Sequence, residues 1–283
     1  MAHPLQTRAE VLDITQGPAY ARMLLRAPGV AERVRPGHFA ALAVGGGESS
    51  MLLRRAFWIH RADPEQQTVS LVVAERGRGT RELLRTRVGG TVDLVAPLGT
   101  AFPQPVGAAT ALFVGGGYGS APLFGLAEEV VARGGAVGFI LGAATADRLF
   151  GVDLARRLTP DVLVTTDDGS TGIKGQVTLP LAEAVKAIGA EAVYSCGPTA
   201  MLRAVTGIAV GEGVRSFCAV EEGMACGVGV CMTCVLPVVG EDGVSRFVRS
   251  CLDGPCFDGT RVRWDDIGTV PADLSGASAR GVR

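Results

Sequence analysis

Apolar residues change their spacing once along this chain, and the change divides it. Up to about residue 105 the hydrophobic stretches are short and interrupted by polar positions. Val69-Ser70-Leu71-Val72-Val73 and Thr91-Val92-Asp93-Leu94-Val95 are β-branched and bounded by Gly and Pro, the mark of strands. No long 3.6-residue period occurs before residue 80. Residues 80–87 predict one short helix, with Thr80 as its cap and Glu82 in its first turn. An antiparallel β-barrel or sandwich fits this half.

After Pro105 the texture is different. Ala111-Leu112-Phe113-Val114 reads as a buried strand running into Gly115-Gly116-Gly117-Tyr118-Gly119. Ser120 stands where it could cap a helix over 121–133, with Pro122 in the first turn and Gly134-Gly135 as the stop. Strands over 137–141, 161–165 and 192–195 alternate with helices over 147–158, 181–188 and from 199 to about 208. Strand–helix alternation predicts a parallel sheet with crossover connections. From Ser216 the chain is rich in Cys and Gly, with a strand near 234–239 and a turn at Gly240-Glu241-Asp242-Gly243. The expectation is a multi-domain chain: a barrel over 1–105, an α/β domain over 106–212, a small domain over 213–267, and a mobile tail over 268–283.

Charge and composition narrow the partners. Lys plus Arg is 27 and Asp plus Glu 28, a net charge of −1, so the broad basic field of a nucleic-acid binder is missing. Hydrophobic residues make up 47 %, enough for a packed core, and the 40 glycines fall in short clusters of the kind that let backbone approach a ligand. Residues 1–13 show no basic-then-apolar leader. The uncharged run over 94–127 is long enough to raise the membrane question, but Pro97, Pro103, Pro105, Pro122 and Gly115-Gly116-Gly117 break any continuous apolar helix. The expectation is a cytoplasmic protein with neither membrane nor nucleic acid as partner.

Six of the seven cysteines lie between Cys218 and Cys256. Cys226, Cys231, Cys234 and Cys251 have the spacing C-x4-C-x2-C-x16-C, that of a plant-type [2Fe-2S] site with three ligands in one loop and the fourth from a distant segment. Small residues between the ligands free backbone N–H groups to point at sulfur. A zinc site favours two CxxC pairs, whereas only Cys231 and Cys234 form one. Cys256, five residues past Cys251, is a rival fourth ligand; a structural role is the alternative for it. The Gly115–Gly119 loop lies between strand and helix, the context for a diphosphate. It departs from G-x-G-x-x-G, and the acidic ribose-binding residue is missing because the second strand ends in Gly142-Ala143-Ala144.

Several segments together resemble one family, the electron-transfer subunit of class 1B dihydroorotate dehydrogenase, among the ferredoxin-reductase-like flavoproteins. They are Leu52-Leu53-Arg54-Arg55-Ala56-Phe57, Gly77-Arg78-Gly79-Thr80, Ala96-Pro97-Leu98-Gly99, the glycine loop through Leu123, Thr166-Asp167-Asp168-Gly169-Ser170, Tyr194-Ser195-Cys196-Gly197-Pro198, Glu222-Gly223-Met224-Ala225-Cys226-Gly227 and Cys251-Leu252-Asp253-Gly254-Pro255. They run in family order from about residue 10 to 266. The resemblance implies an FAD-binding barrel, an NAD-binding α/β domain and a [2Fe-2S] domain. It implies that Arg55 binds the FAD phosphate, that Val72, Val73 and Ala74 form the strand meeting the flavin, and that Gly79 and Thr80 make the pyrophosphate turn. It implies further that Ala56, Phe57 and Trp58 border the flavin, that Gly115, Gly116, Gly117 and Gly119 hold NAD, and that Cys196 lies beside the nicotinamide. Trp58 stands where the family has Ser, either stacked on the flavin or packed in the core.

The implied role is a redox relay in pyrimidine (UMP) biosynthesis. Electrons from an FMN-containing dihydroorotate dehydrogenase catalytic subunit would cross the cluster and FAD to NAD+, in a heterotetramer of two plus two chains. The rival functions are a ferredoxin–NADP or sulfide-type reductase subunit, a self-contained oxygenase reductase, and a zinc-binding interaction module. Asp167 and Asp168 are expected in a turn rather than as bases, and no catalytic acid–base pair is evident.

Overall fold

The computed structural model describes residues 3–45 and 50–275. Six antiparallel strands close the barrel: β1 (Leu5–Gln16), β2 (Tyr20–Arg26), β3 (Phe39–Leu42), β4 (Arg55–Asp63), β5 (Thr68–Ala74) and β6 (Thr91–Leu98), in spatial order β1-β2-β5-β4-β3-β6. Alternation is clearest in β2, whereas β3 and β5 are buried almost throughout. In β2, Ala21, Met23 and Leu25 are buried while Arg22 and Arg26 face out. Met23, Leu25, Leu71, Val73 and Leu94 meet in one core, each contributing roughly 1.5–3 kcal/mol by leaving water. The short helix α1 (Arg78–Leu84) starts two residues before its expected position. Thr80 is therefore inside its first turn, where its Oγ1 accepts the N–H groups of Arg76 (2.9 Å) and Gly77 (3.2 Å).

The second half is a seven-stranded sheet: β7 (Thr110–Gly116), β8 (Ala136–Ala143), β9 (Val162–Thr166), β10 (Ile173–Lys174), β11 (Ala192–Gly197), β12 (Arg215–Val220) and, beyond a hairpin of β13 (Val235–Val239) and β14 (Ser245–Arg249), the strand β15 (Cys256–Asp258). Its order is β10-β9-β8-β7-β11-β12-β15, parallel throughout except for β15. The sheet thus runs past residue 212, and β15 ties the Cys-rich segment back onto it. Helices α2 (Leu123–Ala132), α3 (Val152–Leu158), α4 (Leu181–Ile188) and α5 (Thr199–Gly211) supply the crossovers.

Two further helix starts differ from the sequence expectation. Ser120 does not cap α2; its hydroxyl donates to Gly117 O (2.9 Å) and Phe150 O (3.1 Å), tying the glycine loop to the next connection. The helix expected over 147–158 is broken at Gly151, whose φ of 83° suits glycine, and a Cβ there would stand 2.3 Å from Phe124 Cζ. Only a 3-10 turn (Ala146–Arg148) and α3 form. Helix α4 follows its expected span and ends on Gly189 at φ 64°.

Barrel and sheet are joined by polar and apolar contacts. His60 on β4 hydrogen-bonds Ala121 O through Nδ1 at 2.8 Å, and Arg61 pairs with Glu128. The first part of the expected tail is not loose: Leu274 is 4 % exposed, Asp273 pairs with Arg263, and Ser275 N–H donates to Ser245 O. Residues 276–283 of that expectation lie outside the described residues. Among the described residues no helix is long and apolar enough to cross a membrane.

Candidate functional site: two adjoining clefts and a cysteine loop

The first cleft, of about 240 Å³, lies against the barrel wall where β4 and β5 end. Arg55, Ala56, Phe57 and Trp58 from β4 line it, with Val72 and Ala74 from β5 and Thr80 from α1. Val73 does not: alternation turns its side chain into the barrel core, where it is fully buried. Arg55 also borders a shallower cleft with Gly77, Gly79 and Thr80. A Cβ on Gly79 would stand 2.8 Å from Arg55 Nε, so glycine is what lets the guanidinium lie across this turn. A planar fork over a backbone turn suits a diphosphate, and an apolar slot between strand edges suits a flat ring system.

Trp58 lines this first cleft rather than being sealed in the core. Its indole Nε1–H donates to Glu221 Oε1 at 2.9 Å. Tyr118 Oη donates to the other oxygen, Oε2, at 3.3 Å. Burial, and then the Glu221 carboxylate, push the Tyr118 phenol up to about 12.

The second cleft, of about 410 Å³, opens at the C-terminal ends of the parallel strands. Gly116, Gly117 and Gly119 line it, facing Gly142 and Ala143 of β8 and Gly197-Pro198 at the end of β11. This is where an open α/β sheet takes a dinucleotide. Gly115 lies beneath the loop instead, since a Cβ there would stand 2.4 Å from Ser120 Cβ. Cys196 is likewise below the surface. It is fully buried in the sheet core, lines neither cleft, and has its thiol pushed well up by burial. Gly119 rests on it: a Cβ at 119 would come within 2.9 Å of Cys196 O. Asp168 accepts from Ser170 N–H in a turn, as expected, while Asp167 lines the cleft.

The cysteine loop packs on the barrel beside the first cleft, against β3 and β6. Cys234 and Cys251 are buried with Phe39, Ala41 and Leu98 of β3 and β6. Cys226 Sγ accepts N–H groups of Val228, Val230 and Cys231 at 3.4–3.5 Å, and Cys251 Sγ accepts Gly229 N–H at 3.1 Å. Cys251 N–H in turn points at Cys234 Sγ at 3.5 Å. Gly227 and Gly229 have φ of 71° and 82°, which turns the loop so that these amides face sulfur. The thiols are not drawn onto one point: among the described residues no three Cys, His, Asp or Glu side chains meet at metal-ligand distances. Four sulfurs with inward-pointing amides are nonetheless the donor set of an iron–sulfur cluster. Cys256 sits elsewhere, on β15 in the sheet core with its thiol toward Gly37 O at 3.7 Å.

The model for the iron–sulfur cluster binding domain of dihydroorotate dehydrogenase B matches residues 221–263. The electron transfer subunit of dihydroorotate dehydrogenase B (NAD(+)) from Shouchella clausii is 38 % identical over 226 residues, 79 % of this chain and 84 % of that one. Its counterpart from Bacillus cereus is 36 % identical over 237 residues, 83 % of this chain and 89 % of that one. The chain belongs to this electron-transfer-subunit family. Among solved structures, the NADH-dependent reduced ferredoxin-NADP oxidoreductase studied for flavin-based electron bifurcation superposes with a TM-score of 0.77 at 28 % identity, covering 96 % of this chain and 95 % of that one. A cytochrome P450 reductase of Amycolatopsis shares the fold, with a TM-score of 0.61 at 21 % identity over 75 % of this chain and 67 % of that one.

Membership accounts for the three sites but not for everything that lines them. Arg76, Tyr118, Val220, Glu221 and Met224 border the first cleft, a place that the sequence did not give them. Tyr118 carried a signal, as a large residue inside a glycine loop. Glu221 and Met224 flank the cysteine loop, and only the return of the chain after β12 brings them to the barrel. Met224 and Trp58 border the first cleft and also pack against the core that holds Cys234 and Cys251, so the cysteine loop and the first cleft adjoin through these two side chains.

Proposed function

We propose that the chain is the electron-transfer subunit of an NAD-dependent dihydroorotate dehydrogenase, carrying FAD in the first cleft, NAD in the second and one [2Fe-2S] cluster on Cys226, Cys231, Cys234 and Cys251. The observation that carries this reading is adjacency. Cluster loop and first cleft share Trp58 and Met224, and the two clefts share Arg76, Tyr118 and Glu221. When bound, FAD exchanges single electrons with a cluster and a hydride with nicotinamide, which is why the relay needs it. The protein's part is placement. Arg55 and the Gly77–Thr80 turn hold the phosphates, Val72 and Ala74 border the ring, and Gly116–Gly119 accept the dinucleotide.

Family membership implies a catalytic partner. We place that partner, an FMN-containing dihydroorotate dehydrogenase chain, over the cysteine loop, where Val228, Val230 and Met232 are exposed beside the ligands. Two copies of each chain would form a heterotetramer, working in the cytoplasm. The ferredoxin–NADP-type alternative is not favoured: that structural relative is 28 % identical, against 36–38 % for the dihydroorotate relatives. The test is co-purification with the catalytic chain, a visible spectrum, and a dihydroorotate:NAD+ assay. The isolated chain should show flavin and iron–sulfur bands and reduce artificial acceptors with NADH, yet oxidise no dihydroorotate until the partner is added. Absence of both bands, or dihydroorotate turnover by the chain alone, would sink the reading.

A further inference from the structure

The two clefts have three residues in common: Arg76, Tyr118 and Glu221. Glu221 is engaged by Trp58 and Tyr118. Arg76 is different. It follows β5 on the barrel, and among the described residues it forms no ion pair. Its own N–H, donated to Thr80 Oγ1, fixes its main chain. Its guanidinium carbon lies 5.2 Å from the centroid of the Tyr118 ring, a cation–π contact that keeps the charge at the cleft. Tyr118 sits between Gly117 and Gly119, so Arg76 stands across from the loop backbone that lines the second cleft. The charge also acts on both neighbouring phenols, opposing the upward push of burial on Tyr20 and Tyr118.

Resting on the reading of the second cleft as a pyridine-nucleotide site, we propose that Arg76 binds the nucleotide's diphosphate from the barrel side, opposite the Gly116–Gly119 backbone. A guanidinium fork matches a diphosphate bidentately. The cleft's other cation, Arg148, does not duplicate this role. It follows β8, the strand whose end meets the adenosine ribose in such sheets. The cleft's carboxylates, Asp167 and Glu221, cannot take an anion. Arg76 therefore makes nucleotide affinity depend on a residue of the flavin barrel, and NAD binding holds barrel and sheet together at the point of hydride transfer.

The test is calorimetric titration of NAD+ and of ADP-ribose into FAD-loaded protein, comparing wild type, Arg76→Gln and Arg76→Lys. Arg76 is exposed, so these variants should fold. Loss of one charge-assisted phosphate contact should raise both Kd values about 10- to 100-fold in Arg76→Gln. Lys should restore part of the affinity, and the salt dependence of binding should weaken in Gln. FAD content and the flavin spectrum are read alongside, because Arg76 also borders the first cleft and the Gly77–Thr80 turn. Unchanged Kd for NAD+ and ADP-ribose in Arg76→Gln would overturn the assignment. So would loss of FAD from the variant with normal NAD+ binding by the fraction still loaded, because Arg76 would then serve FAD. Wild-type protein that holds FAD but binds no NAD+ would instead refute the reading of the cleft itself.

Discussion

Acid should loosen the joint between barrel and sheet through His60. Its ring is 3 % exposed, packed edge-on against Phe124 and Phe150, with Nδ1 hydrogen-bonded to Ala121 O. Burial depresses its pKa from 6.5 to about 4; the Ala121 carbonyl opposes the shift, and Arg61 and Arg22 add to it. The unfolded imidazole takes its proton first as pH falls. The stability His60 contributes is thus whole above pH 6.5 and is lost as pH drops through 4. Between pH 7.5 and 5.0 those two pKa values give a loss of about 2 kcal/mol. His38, also buried and depressed to about 4, adds a similar loss of its own, and carboxylates titrate too, so the comparison must be differential. His60→Gln keeps a donor for Ala121 O and removes the titration. Urea unfolding, followed by flavin release, should show wild type losing about 2 kcal/mol more than the variant on going from pH 7.5 to 5.0. Equal losses would refute the reasoning, and would mean that water reaches the ring and its pKa is ordinary.

Cys251→Ser should lose or strongly perturb the cluster's visible and electron-paramagnetic signals while Cys256→Ser keeps them, since Cys251 Sγ faces the loop amides and Cys256 Sγ faces Gly37; the reverse pattern would reassign the fourth ligand. NADH should be preferred over NADPH in acceptor-reduction kcat/KM, because Asp167 lines the cleft and would repel a 2′-phosphate; comparable efficiencies would mean that Arg148 outweighs it. Gly119→Ala should cost about 1–3 kcal/mol and weaken NAD+ binding, because its Cβ would press on the β11 backbone at Cys196 O, and unchanged thermal midpoint and Kd would show that the loop yields freely.

Some of this molecule is written locally. The two textures of hydrophobic spacing reflect two physical situations, strands buried on one face and strands buried on both, and each persists whatever the chain does elsewhere. The C-x4-C-x2-C spacing is equally local, because three ligands on one loop need no tertiary help to be near each other. Glycines at 227 and 229 then turn that loop's amides toward sulfur. These features, with the order of the family's segments, carried the fold class and the electron-transfer reading.

What spacing could not decide is which way a side chain points and what comes to meet it. Val73 and Cys196 lie in the right strands, yet alternation and sheet packing bury both away from the clefts. Cys256 is five residues from a cluster ligand, but β15 pairs with β12 and carries its thiol into another core. Asp167 lines the second cleft from just after β9, a place that the end of β8 gave no sign of. Trp58, Tyr118 and Glu221 come from three separate stretches, and one carboxylate accepts from both rings. Contacts between residues 103 and 163 positions apart exist only once the barrel is closed and the chain has returned from β12. For that reason local pattern identifies the sites, and the tertiary fold alone sets how they join.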